Sequence, residues 1–143
     1  MTNSISRNIV SITSAAALAA VEAAIANATA RGVAVVASVV DAAGHLLACR
    51  RADGAFVVSL DISRDKAWTA AIFGTATDGL ADALSHRPVL LDGIARRPGV
   101  VLFGGGLPIV QAGAVIGGIG VSGGSEDDDR AAAAAGLAAL APT

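Results

Sequence analysis

The stretch VAVVASVVDAAGHLLACRR, from Val33 to Arg51, decides the fold. Val33 to Val40 is a continuous β-branched run that reads as a strand, Asp41 to His45 is turn-like around Gly44, and Leu46 to Arg51 reads as the returning strand. The stretch is therefore a β-hairpin. On its N-terminal side Thr13 caps a helix that Ile12 helps to staple, with Leu18, Val21 and Ile25 as its apolar stripe and Gly32 at its end. On its C-terminal side Asp53-Gly54 turns the chain into a helix from Ser59 to Gly74, and a shorter helix follows from Thr77 to His86. Pro88, Gly93, Pro98 and Gly99 punctuate a loop. Val100 to Phe103 resumes as strand, Gly104-Gly105-Gly106 interrupts it, and Leu107 to Gln111 pairs through Ala112-Gly113 with Ala114 to Ser122. A last helix runs to Leu140. The order α-β-β-α-α-β-β-β-α is that of an α+β domain with one antiparallel sheet.

The chain of 143 residues fits a single domain, 1–143, with residues 1–11 as a flexible N-terminal arm. Hydrophobic residues make up 54% and charged residues 15%, below the typical charged share of about 25%. Scarce polar surface favours a homo-oligomer whose interfaces bury the excess, although an alanine-rich core raises the same count. A net charge of -2, 3% aromatics and no tyrosine leave neither a basic stripe nor a stacking platform, which excludes nucleic acid as the expected partner. No apolar run reaches the length of a membrane span and Met1 to Val10 lacks the apolar centre of a signal peptide, so a cytoplasmic protein without a membrane partner is expected. The single Cys49 reads as a small strand residue.

Lys66 occupies a position that should be apolar. Ile62, Thr69 and Phe73 share its helical face, so the ammonium sits among residues that want burial. Such a lysine snorkels to water, is satisfied by a partner, or is kept for chemistry or ligand binding. Asp61, Arg64 and Asp65 lie at three- and four-residue spacings, where exposed ion pairs form; Asp61 also complements the helix dipole.

The glycine blocks have two readings each. Gly104, Gly105 and Gly106 after Phe103 make a tight bend, or expose backbone amides that hold a carboxylate. Gly117, Gly118 and Gly120 thin the sheet, and packing of the terminal helix is the preferred account of them. Ser125 with Asp128 reads as a helix cap, and the acidic run Glu126 to Asp129 repels a phosphate at that helix end. His45 and His86 stand far apart with no histidine pair at ligand spacing, so no metal site is expected, although a lone histidine ligates haem iron in other proteins.

Five ordered blocks span nearly the whole chain: Asp41-Ala42-Ala43-Gly44-His45-Leu46-Leu47, Asp53-Gly54-Ala55, Asp61-Ile62-Ser63-Arg64-Asp65-Lys66-Ala67, Phe103-Gly104-Gly105-Gly106-Leu107-Pro108 and Gly117-Gly118-Ile119-Gly120-Val121-Ser122-Gly123-Gly124. Together they resemble the GlcG/HbpS family, also called a haem-degrading or DUF336-like domain. The resemblance implies a profilin-like fold, with a five-stranded antiparallel sheet flanked by helices, and dimers or higher oligomers. It implies haem as a possible cofactor and a pocket at Lys66 and the glycine blocks.

Three functions are then expected to compete. The first is binding of haem or another flat, carboxylate-bearing ligand by Lys66, Arg64, Phe103, Gly104, Gly105 and Gly106. The second is a catabolic isomerase, tautomerase, lyase or hydrolase acting on a small carbonyl or carboxylate metabolite, with Lys66 and Asp61 as catalytic groups. The third is an oligomeric scaffold.

Overall fold

The computed structural model describes residues 3–141. The chain runs α1 (Ser14–Ala30), β1 (Val36–Asp41), β2 (Leu46–Arg51), α2 (Ser59–Phe73), α3 (Thr77–Leu84), α4 (Pro88–Ala95), β3 (Gly106–Gln111), β4 (Ala114–Ser122) and α5 (Glu126–Ala138). The sheet order is β2-β1-β4-β3, with every neighbouring pair antiparallel. Helices α1 and α5 pack together over one face, and α2 lies across β1, β4 and β3 on the other. The expected α+β class holds.

The sheet has four strands, not five. Among the described residues Val100 to Phe103 has no strand partner, and side-chain hydroxyls bond its Val101 N–H, its Phe103 carbonyl and the residues flanking it. Thr69 Oγ1 donates to the Gly99 carbonyl at 2.9 Å and accepts the Val101 N–H at 3.1 Å. Thr77 Oγ1 donates to the Phe103 carbonyl at 2.6 Å and accepts the Gly106 N–H at 3.1 Å. Two threonines on α2 and α3 therefore clamp this segment where a strand would need a ladder.

The expected loop after Pro88 contains a helix. Proline stands at the first helical positions of α4, where its missing N–H has no intrahelical partner to lose. None of the α4 residues is buried.

On α1, Thr13 caps as expected, accepting the Ala16 N–H at 3.2 Å. The buried stripe is Ala17, Ala20, Val21, Ala24, Ile25 and Ala28, whereas Leu18 is exposed. Alanines allow close approach of α5, where a Cβ on Gly136 would lie 2.9 Å from the Ala20 carbonyl oxygen.

The sheet glycines serve a different helix from the one expected. Side chains on Gly118 and Gly120 would collide with the carbonyls of Ala67 and Ser63. It is therefore α2, not the terminal helix, whose backbone rests on β4 through these two residues. Gly117 faces the other way, toward Val40 and Ile12. Laying α2 against β4 carries Lys66 to the end of the sheet where Val121 and Ser122 leave it.

Candidate functional site

Lys66 is 1% exposed, which removes the snorkelling reading. Its Nζ donates to the Val121 carbonyl at 2.8 Å and to Asp129 Oδ2 at 3.1 Å. Asp129, 4% exposed, lies in the first turn of α5, and its Oδ1 accepts the Gly124 N–H at 3.0 Å. Burial pushes the Lys66 amine below its ordinary value while the Asp129 carboxylate pulls it back. Burial likewise raises Asp129, against the opposing pull of Lys66. The two groups form a buried ion pair in which desolvation opposes both charges and their mutual attraction favours them.

The Phe103 ring covers the ammonium, with its centroid 5.0 Å from Nζ, a cation–π distance. Phe103 as a residue is 51% exposed. Beside it opens a cavity of about 340 Å³ whose apolar walls include Phe56, Val58, Ile62 and Phe103 and whose polar groups include Lys66 and Asp129. Ser122 Oγ donates to Ser59 Oγ at 3.1 Å on the same lining.

Structure thus brings together Lys66 and Phe103, two of the residues singled out from sequence. Gly105 touches the same pair: at φ +118, a Cβ there would lie 2.7 Å from the Val121 carbonyl oxygen and 2.8 Å from Lys66 Nζ. Two of the three glycine amides are already bonded internally. Gly104 N–H donates to Glu126 Oε1 at 2.7 Å, and Gly106 N–H to Thr77. Arg130 locks this corner, reaching Asp78 at 2.8 Å, Glu126 at 2.8 Å and Asp127 at 2.9 Å. Its guanidinium lies over Gly104, where a Cβ would sit 2.6 Å from Nε.

Arg64 and Asp61 lie elsewhere. They pair at 3.4 Å on the exposed side of α2, and neither lines the Lys66 cavity. Arg64 instead borders a separate cleft with Asp65, Trp68 and Gly99.

Asp129 is the carboxylate that sequence reasoning missed, having been grouped with the acidic first turn of the last helix. Ser125 and Asp128 do form the expected capping box, with both reciprocal bonds at 3.1 Å. A signal for Asp129 was present. Among the four acids it alone stands three and four residues before Ala132 and Ala133, the apolar face of α5.

His45 is exposed beside Asp41, at the end of β1 where Asp41 pairs with Gly117, away from the Ser122 end that borders the cavity. His86 lines a different hollow with α4, and Cys49 is exposed on β2. Among the described residues, no group of three or more histidine, cysteine, aspartate or glutamate side chains could hold a metal ion. No described helix is long and apolar enough to cross a membrane.

Residues 12–138 match the family described as Haem degrading protein HbpS-like. The chain belongs to that family. An uncharacterized 15.0 kDa protein from the dhaT–dhaS intergenic region of Citrobacter freundii is 42% identical over 123 residues, 85% of this chain and 87% of that protein. The Klebsiella pneumoniae protein ORFY, assigned to DUF336, has a crystal structure that superposes with a TM-score of 0.91 at 37% identity, covering 98% of this chain and 97% of that one. A crystal structure of a PduOC–haem complex superposes with a TM-score of 0.81 at 35% identity, covering 91% and 95% of the two chains. The GlcG/HbpS resemblance read from the five sequence blocks is therefore correct.

Proposed function

We propose that this HbpS-like protein binds a flat, carboxylate-bearing small molecule in the open cavity beside Lys66 and Phe103. The observation that carries the reading is the ring of half-exposed Phe103 standing over a buried ammonium at the wall of an apolar cavity. A flat face packs on the ring and on Phe56, Val58 and Ile62. The Lys66 ammonium has three N–H donors, of which two are engaged by Val121 and Asp129, leaving one for a ligand oxygen. Phe103 must turn aside to admit it.

Haem is the first ligand to test, because a haem complex of a neighbour with the same fold exists. The cavity offers haem an apolar wall and an ammonium, yet no histidine, cysteine, methionine or tyrosine lines it, and those are the usual axial ligands of haem iron. The lining sets the Glu126 and Asp129 carboxylates beside Lys66, so an acid has the one ammonium to engage, and the lining does not fit an iron-ligated haem. A non-haem ligand of that shape suits it better. Work in the cytoplasm as a homo-oligomer belongs to the same reading, with exposed Phe56, Val57 and Val58 at the rim as apolar surface for a second copy to cover.

Parallel titration with haemin and with metal-free protoporphyrin IX tests this directly. Saturable binding of both, with similar affinity and weakened together by Phe103→Ala, is expected. Failure of both to saturate overturns the reading, and binding of haemin alone would demand an iron ligand that this cavity lacks.

A further inference from the structure

Lys66 is the only lysine in the chain: of the ten lysine and arginine residues, the other nine are arginine. Every surface ion pair formed by these cations, such as Arg130 with Asp78 or Arg31 with Asp128, uses a guanidinium. The one side-chain amine is buried and borders a cavity. An arginine keeps its proton under all ordinary conditions, whereas a lysine can surrender it and act as a nucleophile.

We infer that Lys66 captures a carbonyl compound, condensing with an aldehyde or ketone of flat, apolar shape that enters the cavity beside Phe103, with Asp129 carrying the proton. The inference rests on the reading that a small molecule occupies this cavity, and it adds a covalent step. In that step the ammonium first passes its proton to Asp129 Oδ2, 3.1 Å away. The freed Nζ electron pair adds to the carbonyl carbon, and the nitrogen's extra proton moves to the carbonyl oxygen to give a carbinolamine. The Asp129 acid then protonates the hydroxyl, which leaves as water. A protonated imine remains beside the Asp129 carboxylate, so one amine and one carbonyl have yielded one imine and one water. Before the step the Val121 carbonyl accepts from the amine at 2.8 Å; in the protonated imine the one remaining N–H faces the Asp129 carboxylate. Burial already biases both members of the pair toward their neutral forms.

The sole lysine makes the test clean, since the N-terminal amine is the only other primary amine. The folded 143-residue chain is incubated with 2-naphthaldehyde and sodium cyanoborohydride, then digested and mapped by mass spectrometry. A reduced naphthylmethyl adduct on Lys66 is expected, forming faster than on the guanidinium-unfolded chain. Lys66→Arg should carry label at the N-terminus alone. Asp129→Asn should slow labelling by about tenfold or more, since general acid–base assistance typically contributes at least that much. Asp129→Glu, which keeps a proton carrier, should retain it should the asparagine variant fail to fold. Label confined to the N-terminus of the native wild type, or Lys66 reacting no faster than in the unfolded chain, overturns the inference. Saturable protoporphyrin IX binding without an adduct would leave the pocket standing and remove only the covalent step.

Discussion

Gly105 and Lys66 are packed so closely that a single added methyl on the glycine would stand 2.8 Å from the lysine amine. The same methyl would meet the Val121 carbonyl oxygen at 2.7 Å and Asp129 Cβ at 3.0 Å, on a backbone at φ +118. The glycine therefore lets the chain close over the buried ion pair. Gly105→Ala combines backbone strain with overpacking and should lower stability by about 3 kcal/mol, measured by urea unfolding. A loss below about 1 kcal/mol would mean that the corner relaxes easily.

Lys66→Met leaves Asp129 buried without its counter-charge and should cost about 3–5 kcal/mol. Adding Asp129→Leu should recover most of that loss, because a buried ion pair replaced by apolar groups is often neutral in stability. A double-mutant cycle in urea checks the coupling. If the double variant is no better than the single one, the pair is not the source of the cost.

The buried amine predicts the sign of a pH dependence. Its folded pKa lies below the ordinary 10.5, so between the two values the unfolded chain binds more protons and stability rises with pH. Asp129 has the opposite effect in acid. Its folded pKa lies above 3.8, so lowering the pH through that value toward 3.8 stabilises the fold through this group. Asp78, held below 3.8 chiefly by its hydrogen bond from Arg130, loses stability as pH falls from 3.8 through its folded value. Unfolding curves across pH should show the alkaline rise in the wild type and a flatter alkaline limb in Lys66→Met. A falling alkaline limb in the wild type would contradict the burial effect.

Ala112 is the one described non-glycine residue with positive φ, at 50, in the two-residue turn that joins β3 to β4. Such a turn favours asparagine or glycine at that position. Ala112→Gly should therefore raise stability by about 0.5–1 kcal/mol by relieving the left-handed strain. Thermal unfolding is the measurement, and a lowered Tm would show that the turn is not strained.

Phe103→Ala should weaken a flat ligand by about tenfold, the order expected for losing one aromatic face, while leaving the fold nearly as stable because Phe103 is already half-exposed. Fluorescence titration with protoporphyrin IX and a urea curve on the same sample separate the two effects.

Much of the fold was legible because its signals are local. The β-branched run before Asp41, the Thr13 and Ser125 caps, and Gly74 just past α2 each act within a few residues. Two elements were misread where local signals had a second meaning. Pro88 looked like loop punctuation, yet it begins α4, since proline suits the first turn of a helix. Val100 to Phe103 looked like a strand, yet Thr69 and Thr77, 32 and 26 residues away from their partners in it, took its hydrogen bonds.

At the site, the amino-acid order alone determined that Lys66 stands on an apolar helical face, and that a glycine block follows Phe103. That much is periodicity and residue type. Only the tertiary structure decided that Asp129, 63 residues further on, supplies the counter-charge. It also decided that Arg64 and Asp61 turn away to the surface. The physical reason is that a helix specifies which residues share its faces, whereas the partner of a buried charge is chosen by whichever backbone can approach closely enough. Here Gly105, Gly118 and Gly120 permit that approach.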